Sequence, residues 1–228
     1  MVVWLSWGIL ALVLAYFLGS LPTGYLAGQW LKGIDIREHG SGSTGATNVL
    51  RTLGKGPGLA VLLLDMLKGA LSVLLTRWLY TQPFVATSAP AGIDISQWVP
   101  WIVIFVALAA ILGHSRSIWL KFTGGKSVAT SLGILFAIYW PMACIALGVF
   151  SITVAISRMV SLGSILGAIS VPIVMAIAHR PLPLILFGVA AAAYITATHR
   201  RNIQRILAGT ESRLGQKAQD PQSTASSN

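Results

Sequence analysis

The sequence contains few charged residues and very few acidic ones. Of its 228 residues only 10% are charged, and Asp and Glu together number six, whereas hydrophobic residues make up 55%. With a mean hydropathy of +0.75, this composition excludes a soluble globular domain, in which about 25% of residues are charged. So few carboxylates also argue against metal-dependent chemistry, because hard cations are held by Asp and Glu oxygens.

Cysteine is almost absent as well. The single Cys144 excludes an intrachain disulfide, and its apolar surroundings in the sequence predict a buried structural thiol. The first hydrophobic segment has no basic residue before it and is too long for a cleaved secretory signal. We therefore expect this segment to be retained as a membrane span.

Long hydrophobic runs predict an all-α integral membrane protein with about seven transmembrane helices. The region 129–156 is ambiguous, since it fits one long helix or two short helices that turn near Trp140 and Pro141. The candidate spans are 3–31, 59–80, 98–113, 129–140, 141–156, 162–178 and 182–198.

The distribution of Lys and Arg favours two helices in 129–156. In that arrangement thirteen of the 16 basic residues share one side, and the segment 81–97 on the other side has none. The positive-inside rule then predicts an N-terminus outside and a C-terminus in the cytoplasm. Because these residues are scattered over short loops, we expect no nucleic-acid partner. The thirteen are Lys32, Arg37, Arg51, Lys55, Arg116, Lys121, Lys126, Arg158, Arg200, Arg201, Arg205, Arg213 and Lys217.

No internal repeat or second domain is visible. Residues 1–214 are predicted to form a single transmembrane domain. Residues 215–228 are polar and lack hydrophobic periodicity, so a disordered C-terminal tail is expected there.

Two glycine-rich polar loops, 40–48 and 122–130, interrupt the hydrophobic runs. Glycines let backbone N–H groups approach an anion, hydroxyls and the Asn48 amide add donors, and Arg51 and Lys126 add positive charge. A helix beginning near Thr47 would add its N-terminal dipole. Together the loops predict phosphate chemistry at a membrane surface, although each alone also fits a solvated connector.

Two further patterns limit the choice of chemistry. The segment Gly125-Lys126-Ser127 matches the end of a nucleotide P-loop, but Leu120 stands where the first glycine is required, which excludes that motif. After the last span, His199 and Asn202 are three residues apart and can face one site on a helix. A helix end anchored to lipid by arginines is the alternative.

Taken together, these segments resemble one family, the bacterial glycerol-3-phosphate acyltransferases that use acyl phosphate, called PlsY. The match runs in order over nearly the whole chain. Its pieces are Gly19-Ser20-Leu21-Pro22, Gly40-Ser41-Gly42, Gly45-Ala46-Thr47-Asn48, Arg51, Leu64-Asp65, Lys68-Gly69, Gly113-His114, Lys121-Phe122, Gly124-Gly125-Lys126, Val128-Ala129-Thr130, Arg158, Ser161-Leu162-Gly163-Ser164, His199, Asn202-Ile203, Arg205, Gly209 and Glu211.

The resemblance implies transfer of a fatty acyl group from acyl phosphate to the 1-hydroxyl of glycerol 3-phosphate. It needs no cofactor and releases lysophosphatidic acid and phosphate. Implied catalytic residues are Ser41, Arg51, His199 and Asn202. Implied substrate-binding residues are Ser43, Thr47, Asn48, His114, Gly124, Gly125 and Lys126, and Glu211 is implied to be structural. The chain departs from the family pattern at Ser43, Ser127 and Arg116-Ser117.

Some points stay open in the sequence. Asp65 and Lys68, three residues apart in a span, either neutralise each other or orient a loop. The hydroxyl proton could pass to His199 or to a substrate phosphate, and the resemblance favours the phosphate. It also implies a location in the bacterial inner membrane, a site facing the cytoplasm and, as a further partner, the soluble enzyme that supplies acyl phosphate. An organic-anion transporter is the rival function.

Overall fold

The computed structural model describes residues 2–215, and this part of the chain is helical without a named strand. Of the predicted tail, 216–228 lie outside the described residues. The α-helices are α1 (Val2–Ser20), α2 (Thr23–Lys32), α3 (Ala46–Leu53), α4 (Lys55–Thr81), α5 (Pro83–Ala86), α6 (Ile95–Ser115), α7 (Val128–Ser157), α8 (Val160–Ile177), α9 (Leu182–Thr198) and α10 (Arg200–Leu207).

Five segments are long and apolar enough to cross a membrane, and α9 with α10, bent by 63°, forms a sixth if it counts as one span. Large apolar side chains cover the outside of the bundle, among them Ile156, which is 82% exposed. Such a surface suits lipid rather than water. The prediction of an all-α membrane protein is therefore confirmed, whereas the number of crossings and the side of each terminus stay predictions.

Helix α7 is broken at Tyr139, whose φ of −157° and ψ of 88° are not helical. Pro141 follows two residues later and has no N–H to donate to the carbonyl of Ala137. Arg77 of α4 replaces that donor, with Nη1 2.7 Å from the Ala137 oxygen. The guanidinium of Arg180 lies 4.2 Å from the centre of the Tyr139 ring.

The two halves of α7 pack against different helices. In the first half, a Cβ on Gly133 would collide with the backbone of Met66 in α4, so the two backbones touch there. In the second half, a Cβ on Gly163 of α8 would lie 2.7 Å from Val154 Cγ2. Because Arg180 follows the far end of α8 and meets Tyr139, the second half runs antiparallel to α8. These contacts support the two-helix interpretation of 129–156.

Cys144 lies on the second half of α7, and its side chain is exposed on the bundle surface. The prediction of a buried thiol was wrong. An apolar stretch in a membrane protein does not mark the interior, because lipid accepts apolar side chains on the outside of the bundle.

The predicted sidedness can be tested by labelling single cysteines in a Cys144→Ala background. Because the basic loops share one face in the seven-span arrangement, Ser43→Cys and Ser212→Cys should react with an impermeant maleimide only from the cytoplasm. Ser88→Cys, in the loop without basic residues, should react only from outside. Labelling of positions 43 and 212 from opposite faces would contradict the arrangement.

Candidate active site

The described residues enclose a cavity of about 1280 Å³ that has a polar end and an apolar arm. The polar end collects most of the predicted site residues, namely Ser41, Ser43, Thr47, Asn48, Arg51, His114, Lys126, His199, Asn202 and Glu211. The arm runs between α7, α8 and α9 and is lined by residues such as Phe150, Val171 and Phe187. The cavity can therefore hold a molecule that is charged at one end and apolar at the other.

The first loop, 40–45, is held in place by the Asn48 side chain. Asn48 Nδ2 lies within hydrogen-bond distance of the carbonyl oxygens of Ile36 (3.0 Å), His39 (3.0 Å) and Ser43 (2.8 Å), and its Oδ1 accepts from the backbone N–H of Ser41 at 2.8 Å. These bonds use the hydrogen-bonding capacity of the amide. Asn48 thus orders the loop that presents Ser41, and direct substrate contact by Asn48 stays a prediction.

Helix α3 begins at Ala46 after this loop and carries Thr47 and Arg51. Both side chains line the polar end of the cavity. Burial lowers the pKa of Arg51, but a guanidinium remains protonated at neutral pH. Arg51 therefore places a permanent positive charge beside the loop.

The glycine loop, Gly124-Gly125-Lys126, lies against the end of α6. The backbone N–H of Gly125 donates to the carbonyl of His114 at 3.3 Å. A Cβ on Gly124 would collide with this carbonyl, and a Cβ on Gly125 would collide with His114 Nε2. Only glycine permits so close an approach. The two glycines do not line the cavity themselves, but they place Lys126 there.

His199 and Asn202 enter the site at the bend between α9 and α10. His199 Nδ1 lies 2.8 Å from the carbonyl oxygen of Ile195. Since a carbonyl only accepts, Nδ1 carries the proton and Nε2 is the ring nitrogen available to a ligand. Asn202, in the first turn of α10, is 6% exposed.

One chain of polar contacts joins the glycine loop to the C-terminal segment. Lys126 Nζ donates to Asn202 Oδ1 at 2.5 Å, and Asn202 Nδ2 donates to Glu211 Oε1 at 2.6 Å. Arg205 Nε donates to Glu211 Oε2 at 2.7 Å. Glu211 therefore fixes the orientation of the Asn202 amide, which in turn fixes Lys126. The sequence alone does not indicate that Arg205 has a role, because it does not show which arginine lies beside Glu211.

The charges of this group follow from its surroundings. Burial lowers the pKa of Lys126 to about 8, with Glu211 opposing the shift and Arg205 and Arg51 adding to it. Burial alone would raise the pKa of Glu211, but hydrogen bonds from Asn202 and other side chains outweigh it and lower that pKa. Glu211 is thus a carboxylate at neutral pH. With Arg51 and Lys126 both facing the cavity, the site suits an anion.

Of the two remaining predicted residues, Asp65 lines the cavity and Lys68 does not. Asp65 and Lys68 of α4 form an ion pair of 2.8 Å, and Lys68 also donates to the Leu21 carbonyl at 2.9 Å. Mutual neutralisation, one of the two predicted roles, fits this geometry. Within residues 2–215 no group of three or more His, Cys, Asp or Glu side chains is placed to hold a metal ion.

Together the helical bundle and this cavity define a membrane protein with a site for an anionic, partly apolar ligand. The family model described as glycerol-3-phosphate acyltransferase matches residues 9–209. A glycerol-3-phosphate acyltransferase from Acaryochloris marina is 58% identical over 95% of this chain and 96% of its own length. One from Trichormus variabilis is 58% identical over 94% of this chain and 95% of its own.

A solved structure shows the same architecture. The crystal structure of PlsY (YgiH), an integral membrane glycerol 3-phosphate acyltransferase in its glycerol 3-phosphate form, has a TM-score of 0.80. It is 35% identical and covers 91% of this chain and 96% of its own. Its lysophosphatidic acid form has a TM-score of 0.77 at 34% identity. The chain belongs to the glycerol-3-phosphate acyltransferase family, as the sequence motifs predicted.

The Glu211 contacts predict a loss of stability in Glu211→Gln. The change removes the charge that pairs with Arg205, and it should cost about 1.5 to 3 kcal/mol, the range for a hydrogen bond to a charged group. Thermal unfolding in one detergent measures it as a lower Tm. Glu38→Gln serves as the control, because the Glu38 side chain is exposed and the change leaves the pair of Arg205 and Glu211 intact. Equal Tm values for the two variants would contradict the assignment.

Proposed function

We propose that this chain transfers a fatty acyl group from an acyl phosphate to the 1-hydroxyl of glycerol 3-phosphate. The products are lysophosphatidic acid and inorganic phosphate. Family membership supports the acyl transfer to glycerol 3-phosphate. The observation that carries the proposal is the single cavity, in which a cationic polar end continues into an apolar arm between α7, α8 and α9. In this proposal the polar end binds the two phosphates and the apolar arm binds the acyl chain.

The proposed reaction needs no covalent intermediate with the protein. The hydroxyl oxygen of glycerol 3-phosphate attacks the acyl carbonyl carbon, and the bond from that carbon to the phosphate oxygen breaks. Phosphate leaves with the bonding electron pair, while the hydroxyl proton passes to an acceptor. Because an acyl phosphate is already activated, catalysis consists of gathering two anions, orienting the hydroxyl and stabilising the oxyanion.

The contacts described above suggest which residues bind each substrate. Gly124, Gly125 and Lys126 form the loop for the phosphate of glycerol 3-phosphate, with Lys126 as the group that contacts it, and His114 and Thr47 line the same cavity. Arg51 and the hydroxyls of Ser41 and Ser43 receive the acyl phosphate. His199 accepts a hydrogen bond from a substrate hydroxyl through Nε2, Asn202 donates its remaining amide N–H to a reacting group, and Glu211 holds Asn202 in place. Each of these roles is a proposal.

A substrate phosphate is the proposed proton acceptor. His199 Nδ1 is bound to the Ile195 carbonyl, so among the described residues the partner of this nitrogen is a carbonyl and not the carboxylate that stabilises the imidazolium of a catalytic triad. A phosphate dianion held by Arg51 and Lys126 can take the proton instead. His199 then acts through Nε2 as a ligand of the substrate.

The polar end lies among the basic loops, which supports an inner-membrane enzyme whose site faces the cytoplasm. A soluble enzyme that makes acyl phosphate would deliver the donor on that face. An anion transporter, in contrast, has its site near the midplane between related halves. No internal repeat is visible in the sequence, and the chain belongs to an acyltransferase family, so the transport alternative is not supported.

The donor proposal is tested by supplying purified protein and glycerol 3-phosphate with acyl phosphate, acyl-CoA or acyl carrier protein thioester. Acyl phosphate should yield lysophosphatidic acid and phosphate, and the two thioesters should yield background product only. Rapid turnover of a thioester with no reaction of acyl phosphate would overturn the donor assignment while leaving glycerol 3-phosphate as acceptor.

Arg51→Lys should lose most activity even though the charge is kept. A guanidinium donates in a planar fork to a phosphate or oxyanion, which an ammonium cannot reproduce. We expect kcat/KM to fall at least about 10²-fold, the typical effect of losing an oxyanion donor. Arg116→Lys is the matched control, because its side chain is exposed outside the cavity, and near-normal activity in both variants would exclude this role.

His199→Gln distinguishes a base from a ligand. If a substrate phosphate takes the proton, the variant should bind glycerol 3-phosphate more weakly and should keep the acidic limb of the pH-rate profile. A general base would instead cost about 10² to 10⁴ in kcat. Loss of the acidic limb in a variant with normal substrate binding would show that His199 accepts the proton.

A further inference from the structure

A buried polar cluster borders the cavity, which Asp65 and His114 both line. Asp65 Oδ1 accepts a hydrogen bond from Thr23 Oγ1 at 2.6 Å and lies 2.8 Å from Lys68 Nζ. The same oxygen lies 3.5 Å from His114 Nδ1. Asp65 is 1% exposed and Lys68 is 4% exposed. The cluster thus joins α2, α4 and α6 through one carboxylate, which has no part in the reaction described above.

Neutralising Lys68 does not account for all contacts of Asp65. A buried ammonium needs one carboxylate, and the 2.8 Å ion pair supplies it. The carboxylate also faces His114, whose Nδ1 lies 3.5 Å from Asp65 Oδ1 and has no hydrogen-bond partner among the described residues. This proximity favours the ring orientation in which Nδ1 faces the carboxylate and the other ring nitrogen, Nε2, points away from it.

His114 Nε2 points at the glycine loop. A Cβ on Gly125 would collide with this nitrogen, and a Cβ on Gly124 would collide with the His114 carbonyl. That carbonyl also accepts the N–H of Gly125 at 3.3 Å. Both glycines thus rest on His114, and a rotated ring would displace the loop backbone and Lys126 with it.

We propose that Asp65 is a positioning residue for glycerol 3-phosphate. It fixes the His114 ring, and the ring sets the position of Gly124-Gly125-Lys126. This inference rests on the proposed function of that loop as the binding site for the phosphate of glycerol 3-phosphate. It assigns Asp65 an effect on substrate binding in addition to its ion pair.

The test compares the KM values of the two substrates in Asp65→Asn and His114→Gln. Each variant should raise the KM for glycerol 3-phosphate about tenfold, since a misplaced loop loses roughly one charged hydrogen bond, and should leave the KM for acyl phosphate within about twofold. Because the two residues act in one series, the Asp65→Asn/His114→Gln variant should be no worse than the worse single variant. Effects that multiply, or that fall equally on both substrates, would overturn the proposal.

A second variant separates positioning from charge neutralisation. Asp65→Asn leaves Lys68 buried without a counter-ion, whereas Asp65→Asn/Lys68→Met removes both charges. If Asp65 serves only to neutralise Lys68, the double variant recovers the normal KM for glycerol 3-phosphate, and the proposal is wrong. If Asp65 acts through His114, the KM stays raised although thermal stability recovers.

Two further measurements keep the result interpretable. His114→Gln retains the Asp65 and Lys68 ion pair, so its kinetics test the proposal even if Asp65→Asn does not fold. Lys126→Met tests the loop itself. A raised KM in Lys126→Met with a normal KM in His114→Gln would reject only the role of Asp65, whereas a normal KM in Lys126→Met would reject the loop assignment.

Discussion

The contact series from Lys126 through Asn202 to Glu211 is the constraint on which the site depends. It connects a loop after α6 with the bend after α9 and with the segment beyond α10, at 2.5 Å and 2.6 Å. Burial lowers the pKa of Lys126 to about 8, and the nearby carboxylate of Glu211 opposes that shift. The anion site is therefore a property of the assembled bundle.

The cavity also explains why a membrane enzyme needs this arrangement. Its polar end contains fixed cations, whereas its arm between α7, α8 and α9 is apolar. Such a shape lets an acyl chain stay in a lipid-like environment while its phosphate reaches a site that a water-soluble acceptor can also reach. Close packing at Gly69, Gly133 and Gly163 brings the helix backbones together and holds the walls of the cavity.

The helical class could be predicted from the sequence, because hydrophobic runs are a local signal. The spacing of Asp65 and Lys68 predicted their ion pair as one of two alternatives, and only the family resemblance implied that Ser41, Arg51, Lys126, His199 and Asn202 share a site. Other features depend on long-range packing. The Asn48 amide binds its own loop, and Arg205 is the arginine that pairs with Glu211. Cys144 is exposed, because in a membrane protein lipid accepts apolar side chains on the outside of the bundle.

The central claim, that the Gly124-Gly125-Lys126 loop binds the phosphate of glycerol 3-phosphate, is tested most directly by solving the structure of this protein with glycerol 3-phosphate bound and no acyl donor. The account predicts phosphate oxygens about 3 Å from Lys126 Nζ, with Asn202 still bound to Glu211. Phosphate density elsewhere in the cavity, with Lys126 still donating to Asn202 alone, would contradict it.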